Sequence, residues 1–182
     1  MSTYIFVQHK KISLKNDPNF NEAWLQSQIA NNPSIIGLGD LALVQRERRQ
    51  ERSGRLDLLL ADFDNDSRFE VELMLGKLDE SHIIRCIEYW DNERRRFPGY
   101  DHTAVIIAED ITSRYINVLS LFAGNIPLVA IQLNALVVGE NIILDFVKIL
   151  DQRQLRMDDT VEVNVQATDR NYWQKRGTKS TL

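Results

Sequence analysis

Residues 54–75 read GRLDLLLADFDNDSRFEVELML, and the rest of the chain is arranged around them. The pattern predicts two strands joined by a polar turn at Asp64-Asn65-Asp66-Ser67. The first strand, Leu56–Phe63, is apolar on both faces, with Leu56, Leu58 and Leu60 on one and Leu59, Ala61 and Phe63 on the other. Such a strand is central in its sheet and covered on both sides. The second, Arg68–Leu75, puts Phe69, Val71, Leu73 and Leu75 on one face and Arg68, Glu70, Glu72 and Met74 on the other. If Phe63 lies opposite Arg68, odd positions of the first strand share a face with even positions of the second. Asp57, Glu70 and Glu72 then converge. A register shift of two residues would set Asp57 directly opposite Glu72 and diagonal to Glu70, on the same shared face. Three buried carboxylates repel and lose hydration unless positive charge neutralises them. A hard divalent cation does this simply; arginines pairing carboxylates on a half-exposed sheet fit the pattern equally well.

Upstream, Asp17-Pro18-Asn19 is expected to open a helix that Asn32-Pro33 closes. Leu25 and Ile29 share its inward face, and Glu22 lies on that face too. Taken by itself, Glu22 reads as an edge residue reaching solvent near the positive end of the helix dipole. Leu41–Gln50 reads as a strand running into a basic segment, with five arginines, Arg46, Arg48, Arg49, Arg52 and Arg55, within ten positions. These suit a phosphate backbone, or a solvated hairpin salt-bridged by Glu47 and Glu51. Downstream, Asp79 is an expected N-cap for a helix that Pro98-Gly99 stops, with Ile83, Ile87 and Trp90 facing the core. His82 and Arg85 lie in its first turns. Each of them, like Lys77, reads by itself as an ordinary surface residue. Arg94-Arg95-Arg96 complements the negative helix end or extends a DNA-facing patch.

Residues 3–8 (TYIFVQ) suggest a short strand, and residues 103–108 (TAVIIA) a buried one ending at the acidic corner Glu109-Asp110. A helix over 111–123, with Ile111, Tyr115, Val118 and Phe122 inward, precedes a strand over 127–133. A hairpin of 135–138 and 142–150 then turns at Gly139-Glu140-Asn141. Strands alternating with helices predict an α/β fold, a mixed sheet flanked by helices. From Asp151 the chain turns polar. Val161, Val163 and Val165 are enough for one edge strand, Tyr172 and Trp173 could dock on the domain or a partner, and the end reads as a linker into something further. The expected division is one domain over 1–150 and a polar extension over 151–182.

The 182 residues are 43% hydrophobic, sufficient for one cored domain. A net charge of −4 means that any nucleic acid must be held by a local patch. The single cysteine, Cys86, excludes an internal disulfide framework and fits a reducing cytoplasm. No apolar run approaches the ~18 residues of a membrane span. The three histidines lack zinc spacing, and there is no P-loop.

The order D…ExE on a hairpin, after a helix carrying Glu22, resembles the PD-(D/E)xK nuclease superfamily, the restriction-endonuclease-like fold. GRLDLLL…EVEL is similar in particular to the GRIDLLL…EVK core of the NucS-type nucleases. The likeness spans roughly residues 20–150. It implies a restriction-endonuclease-like core holding Mg²⁺ or Mn²⁺ through Asp57, Glu70 and a backbone carbonyl near Val71. Glu72 stands where the family usually has lysine, as some restriction enzymes also do, and it would take a water proton or bind a second ion. Glu22 is the implied extra ligand. The implied activity is metal-dependent hydrolysis of DNA, with Arg46, Arg48, Arg49, Arg52, Arg55, Lys77, His82 and Arg85 toward the nucleic acid. Many relatives dimerise, so a homodimer is among the expectations. Two alternatives use the same residues: a catalytically inactive module of this fold binding DNA or a protein, and a structural domain whose carboxylates pair with Arg55, Arg68 or Arg85.

Overall fold

The computed structural model describes residues 6–50 and 54–153. Arg52, the valine run at 161–165, Tyr172 and Trp173 lie outside these residues. The elements are β1 (Lys10–Ile12), α1 (Glu22–Asn31), a 3₁₀ turn (Pro33–Ile36), β2 (Ala42–Arg49), β3 (Arg55–Asp62), β4 (Ser67–Lys77), α2 (Glu80–Arg96), β5 (Asp101–Asp110), α3 (Ser113–Phe122), β6 (Leu128–Val138) and β7 (Asn141–Gln152).

They form a mixed α/β fold around a seven-stranded sheet of order β1-β6-β5-β4-β3-β2, with β7 also on β6. The strands β4, β5 and β6 are parallel, and the hairpins at the two ends are antiparallel. Because β7 pairs along the whole of β6, β5 and β1 must share the other edge of that strand. One face packs Leu58, Leu60, Val71, Leu73, Val105 and Ile107 under Leu25 and Ile29 of α1. The opposite face packs Ala104, Ile106, Ala108, Leu128 and Ala130 under Ile83 and Cys86 of α2 and Tyr115 and Leu119 of α3. No helix of the described residues is long and apolar enough to cross a membrane.

Local chemistry moves several expected boundaries. The first strand is at Lys10–Ile12, not 3–8: residues 6–8 are not in a strand, and 1–5 lie outside the described residues. Asp17 does not cap α1; its carboxylate holds the Asn19 N–H, and the N-cap is Asn21, four residues later, whose Oδ1 accepts from Trp24 N at 2.8 Å. In α3 the buried stripe is Tyr115, Leu119 and then Ala123, not Val118 and Phe122; Phe122 is exposed. The two strands expected over 127–133 and 135–138 are one continuous strand, β6, from Leu128 to Val138.

The central hairpin has the shifted register. Leu58 pairs with Val71 and Ala61 with Arg68, two residues from the Phe63–Arg68 pairing. The turn tightens because Asp62 Oδ1 accepts from the N–H groups of Asp64 and Asn65, so Phe63 joins the loop and is exposed.

Candidate functional site

Asp57 sits where the β3–β4 pairing ends. The last printed pair is Leu58–Val71, and the same register places Asp57 beside Glu72. Both are buried, Asp57 at 7% exposure and Glu72 at 0%. Asp57 Oδ2 accepts from Leu73 N at 2.7 Å, and Oδ1 accepts from Gln26 Nε2 at 3.0 Å. Glu72 Oε2 lies 2.9 Å from Arg85 Nη2, but neither Glu72 oxygen receives a directed hydrogen bond. Burial lifts the Asp57 carboxyl to about 6, against the downward pull of Leu73 N–H and Arg85. Burial, then the negative charge of Asp57, lifts Glu72 to about 9, with Arg85 opposing.

Glu70 does not join them. Its Oε1 is 2.7 Å from His102 Nδ1, and both groups are buried. His102 Nε2 lies 3.0 Å from the Phe97 carbonyl, which can only accept, so Nε2 carries a hydrogen. One further proton is then shared between Nδ1 and Glu70. Burial raises the Glu70 carboxyl to about 7, offset in part by His102. Burial disfavours the charged imidazole, yet the hydrogen bond and charge of Glu70 hold its pKa above the ordinary value. The Val71 side chain is in the core, opposite Leu58.

An open cleft of about 630 Å³ faces Asp57. Its walls come from α1 (Glu22, Gln26), β2 (Glu47), the start of β3 (Gly54, Arg55) and α2 (Arg85, Glu88, Tyr89). Gly54 has φ +86°, and a Cβ there would collide with the Tyr89 hydroxyl, so the glycine lets β3 enter the cleft beside that ring. Glu22, Glu47, Asp57 and Glu88 face Arg55 and Arg85. The cleft is therefore acidic, and a phosphate enters it favourably only with a cation. Glu22 is exposed at the rim, where its charge raises both Asp57 and Glu72.

The basic residues divide. Arg55 lines the cleft with Nε 3.4 Å from Glu47, and Arg85 bridges the cleft to Glu72. Arg46 donates to the Ala23 carbonyl and to Gln26 Oε1, and Arg49 is exposed. Arg48 turns inward, its Nε 2.7 Å from buried Glu93, which removes it from the expected phosphate-facing set. His82 is likewise taken up: its Nδ1 and N–H both contact Asp79 Oδ1, completing the N-cap of α2. Lys77 is exposed at the far end of β4 against Asp110, five residues and ~17 Å along the strand from Glu72.

Two site residues escaped the sequence reading. Gln26 is buried beneath Asp57, and the only signal was its place four residues after Glu22 on the inward-leaning side of α1. Glu47 lies beside Asp57 from the other strand, between the pairs Arg46–Leu58 and Arg48–Leu56, with a φ of +47° that an alternation pattern does not reveal.

Among the described residues no three Asp, Glu, His or Cys groups come together as a metal cage. Magnesium is commonly held through one or two carboxylates plus waters and substrate phosphates. Asp57 and Glu72 fit that donor set: they are oxygen ligands, adjacent, desolvated, and Glu72 has oxygens that no hydrogen bond satisfies.

No family model and no curated protein matches the chain. Among solved structures, it is similar to a repair endonuclease from Pyrococcus abyssi, 24% identical over 58% of this chain and 45% of that chain, with a TM-score of 0.48. It is similar to EndoMS in a complex with double-stranded DNA, 19% identical over 66% of this chain and 45% of that chain, TM-score 0.49. It is also similar to SfsA of Pyrococcus furiosus in complex with Ca²⁺, 18% identical over 69% of this chain and 64% of that chain, TM-score 0.42. The chain thus spans less than half the length of the first two of these structures and less than two thirds of the third.

Proposed function

We propose that this chain is a divalent-cation-dependent endonuclease that hydrolyses phosphodiester bonds in DNA, with Asp57 and Glu72 holding the cation. The observation that carries this reading is the pair itself: two buried carboxylates on neighbouring strands, Asp57 lining an open acidic cleft and Glu72 behind it with Oε2 on Arg85 and Oε1 without a hydrogen bond. Burial disfavours their charged forms, and a cation reverses that preference.

In this reading the D…ExK frame begins at Glu72, not Glu70, and the position two residues on is Met74 rather than lysine. A bound Mg²⁺ or Mn²⁺ would polarise a phosphate oxygen and lower the pKa of a water. Asp57 is oriented for this by Gln26 and Leu73 N–H. Arg85 supplies the positive charge beside Glu72 that the missing lysine does not. Glu22, at the rim, is placed to accept a proton from a water in the cleft. Arg55 at the cleft and Arg49 beside it on β2 would contact the DNA backbone.

The same ion pair favours a second reading. If Arg85 remains on Glu72, the guanidinium takes the place of the cation, and the domain binds DNA or a protein without cutting. Supercoiled plasmid incubated with Mg²⁺ or Mn²⁺ separates the two. Nicking that is lost in Asp57→Asn and Glu72→Gln, but kept in Glu70→Gln, is the expected result for the nuclease. Salt-sensitive DNA binding by wild type with no nicking in either metal assigns the second reading.

A further inference from the structure

A glutamine amide buried between two carboxylates costs free energy unless every polar atom is used. Gln26 is 3% exposed, and its amide is fully engaged. Nε2 donates to Asp57 Oδ1 at 3.0 Å and to Glu47 Oε1 at 2.8 Å, and Oε1 accepts from Arg46 Nη2 at 3.4 Å. These partners fix which way the amide points. Reversed, it would set its oxygen against two carboxylates and its N–H groups against a guanidinium, which only donates.

Glu47 holds the other side of this bridge at a cost. Its φ of +47° is left-handed backbone, which a residue other than glycine or asparagine keeps only when its surroundings enforce it. The element placement explains why three separate segments are needed. The edge strand β2 supplies Glu47 and Arg46, α1 supplies Gln26, and β3 supplies Asp57. The Asp57 carboxylate is thereby oriented from two directions, by Gln26 on one oxygen and by Leu73 N–H on the other, and the cleft is left as its open side.

We propose that Gln26 is a positioning residue for Asp57, its amide anchored on Glu47 and fixing the Asp57 carboxylate toward a divalent cation in the cleft. This rests on the reading of Asp57 and Glu72 as cation ligands. Gln26 touches neither the cation nor the DNA; it acts through the orientation of Asp57. Partners of metal-ligating side chains that act in this way typically contribute about 10–100-fold in affinity or activity.

The test uses Mn²⁺ alone, without DNA, and measures its affinity by calorimetry for wild type, Gln26→Met, Glu47→Ala and the double variant. Methionine keeps the shape of glutamine but has no donor. Gln26→Met is expected to weaken Mn²⁺ about 10-fold or more, and Glu47→Ala to weaken it in the same direction. The double variant should fall no further than the worse single one, because both act through one bridge. In plasmid cleavage, kcat should drop in Gln26→Met while KM for DNA stays within about twofold, a split that a general loosening of the fold would not give. Unchanged Mn²⁺ affinity in a folded Gln26→Met overturns the proposal. Should that variant fail to fold, unchanged affinity in Glu47→Ala overturns it instead. Wild type that binds no Mn²⁺ sinks the cation reading as a whole, which is a different failure from a wild type that binds and variants that bind as well.

Discussion

The side chain that most constrains this chemistry is Glu72. A carboxyl whose folded pKa is raised binds its proton more tightly folded than unfolded. Between the ordinary value of 4.5 and the folded value of about 9, rising pH therefore removes stability. Glu72→Gln cannot titrate and escapes that loss. Wild type should melt progressively lower than Glu72→Gln from pH 5 to pH 9, the difference reaching about 1–3 kcal/mol, limited because Arg85 favours the carboxylate. Saturating Mn²⁺ should shrink the gap, since a dication stabilises the charged form. A pH-independent gap in thermal melts would refute the buried, unsatisfied description of this group. The identities of Asp57 and Glu72 were legible in the sequence, because acidic residues inside apolar strands stand out. The pairing was not: Glu70-Val71-Glu72 and Glu72-Leu73-Met74 both satisfy the D…Ex pattern, and only the register chooses between them. That Glu70 is diverted could not be read locally, since its partner His102 is 32 residues away on β5.

At the scale of elements, the hydrophobic alternation located β3 and β4, and turn chemistry then moved them. The shift of two residues follows from Asp62, whose carboxylate folds the turn earlier than Asp64 would. A two-residue shift keeps every side chain on its face, so the core reading survived while the opposite partners changed. The start of α1 was misplaced because Asp17 and Asn21 are both good capping residues, and tertiary packing of Leu25 and Ile29 decides between them. The N-cap of α2 was unambiguous. Asp79 accepts from His82 N and from the His82 ring, and the ring contact holds the Asp79 carboxyl well below its usual range. Asp79→Ala should cost about 1 kcal/mol of stability in urea melts. On the proposed nuclease reading it should also lower DNA cleavage, because α2 carries Arg85 against Glu72 about two turns further on. Full activity with the expected loss of stability would show that the first turn of α2 does not set the position of Arg85.

For the whole molecule, the difficulty is charge. The chain carries −4 overall and the cleft is lined by more carboxylates than arginines, so attraction to DNA cannot come from the global field. Composition implies that DNA, on the proposed reading, is held by a local patch. It could not show which arginines form it, because Arg48 and Arg49 look alike in sequence, while the register sends one onto buried Glu93 and leaves the other in solvent. Phosphate contacts release counterions, and each contributes a slope of about −0.9 in log K against log salt on duplex DNA. Among the described residues, Arg49 and Arg55 are the exposed arginines of the set, and Arg55 makes only a long contact to Glu47 at the cleft. Arg49→Ala and Arg55→Ala should each reduce the slope by about one, measured as DNA binding in Ca²⁺ between 50 and 300 mM salt. The inward Arg48→Ala should leave the slope unchanged and instead lower the melting temperature, since it strands Glu93 without its closest cation. If Arg48→Ala alters the slope as much as Arg49→Ala does, the division between the inward Arg48 and the exposed arginines proposed to meet DNA is wrong.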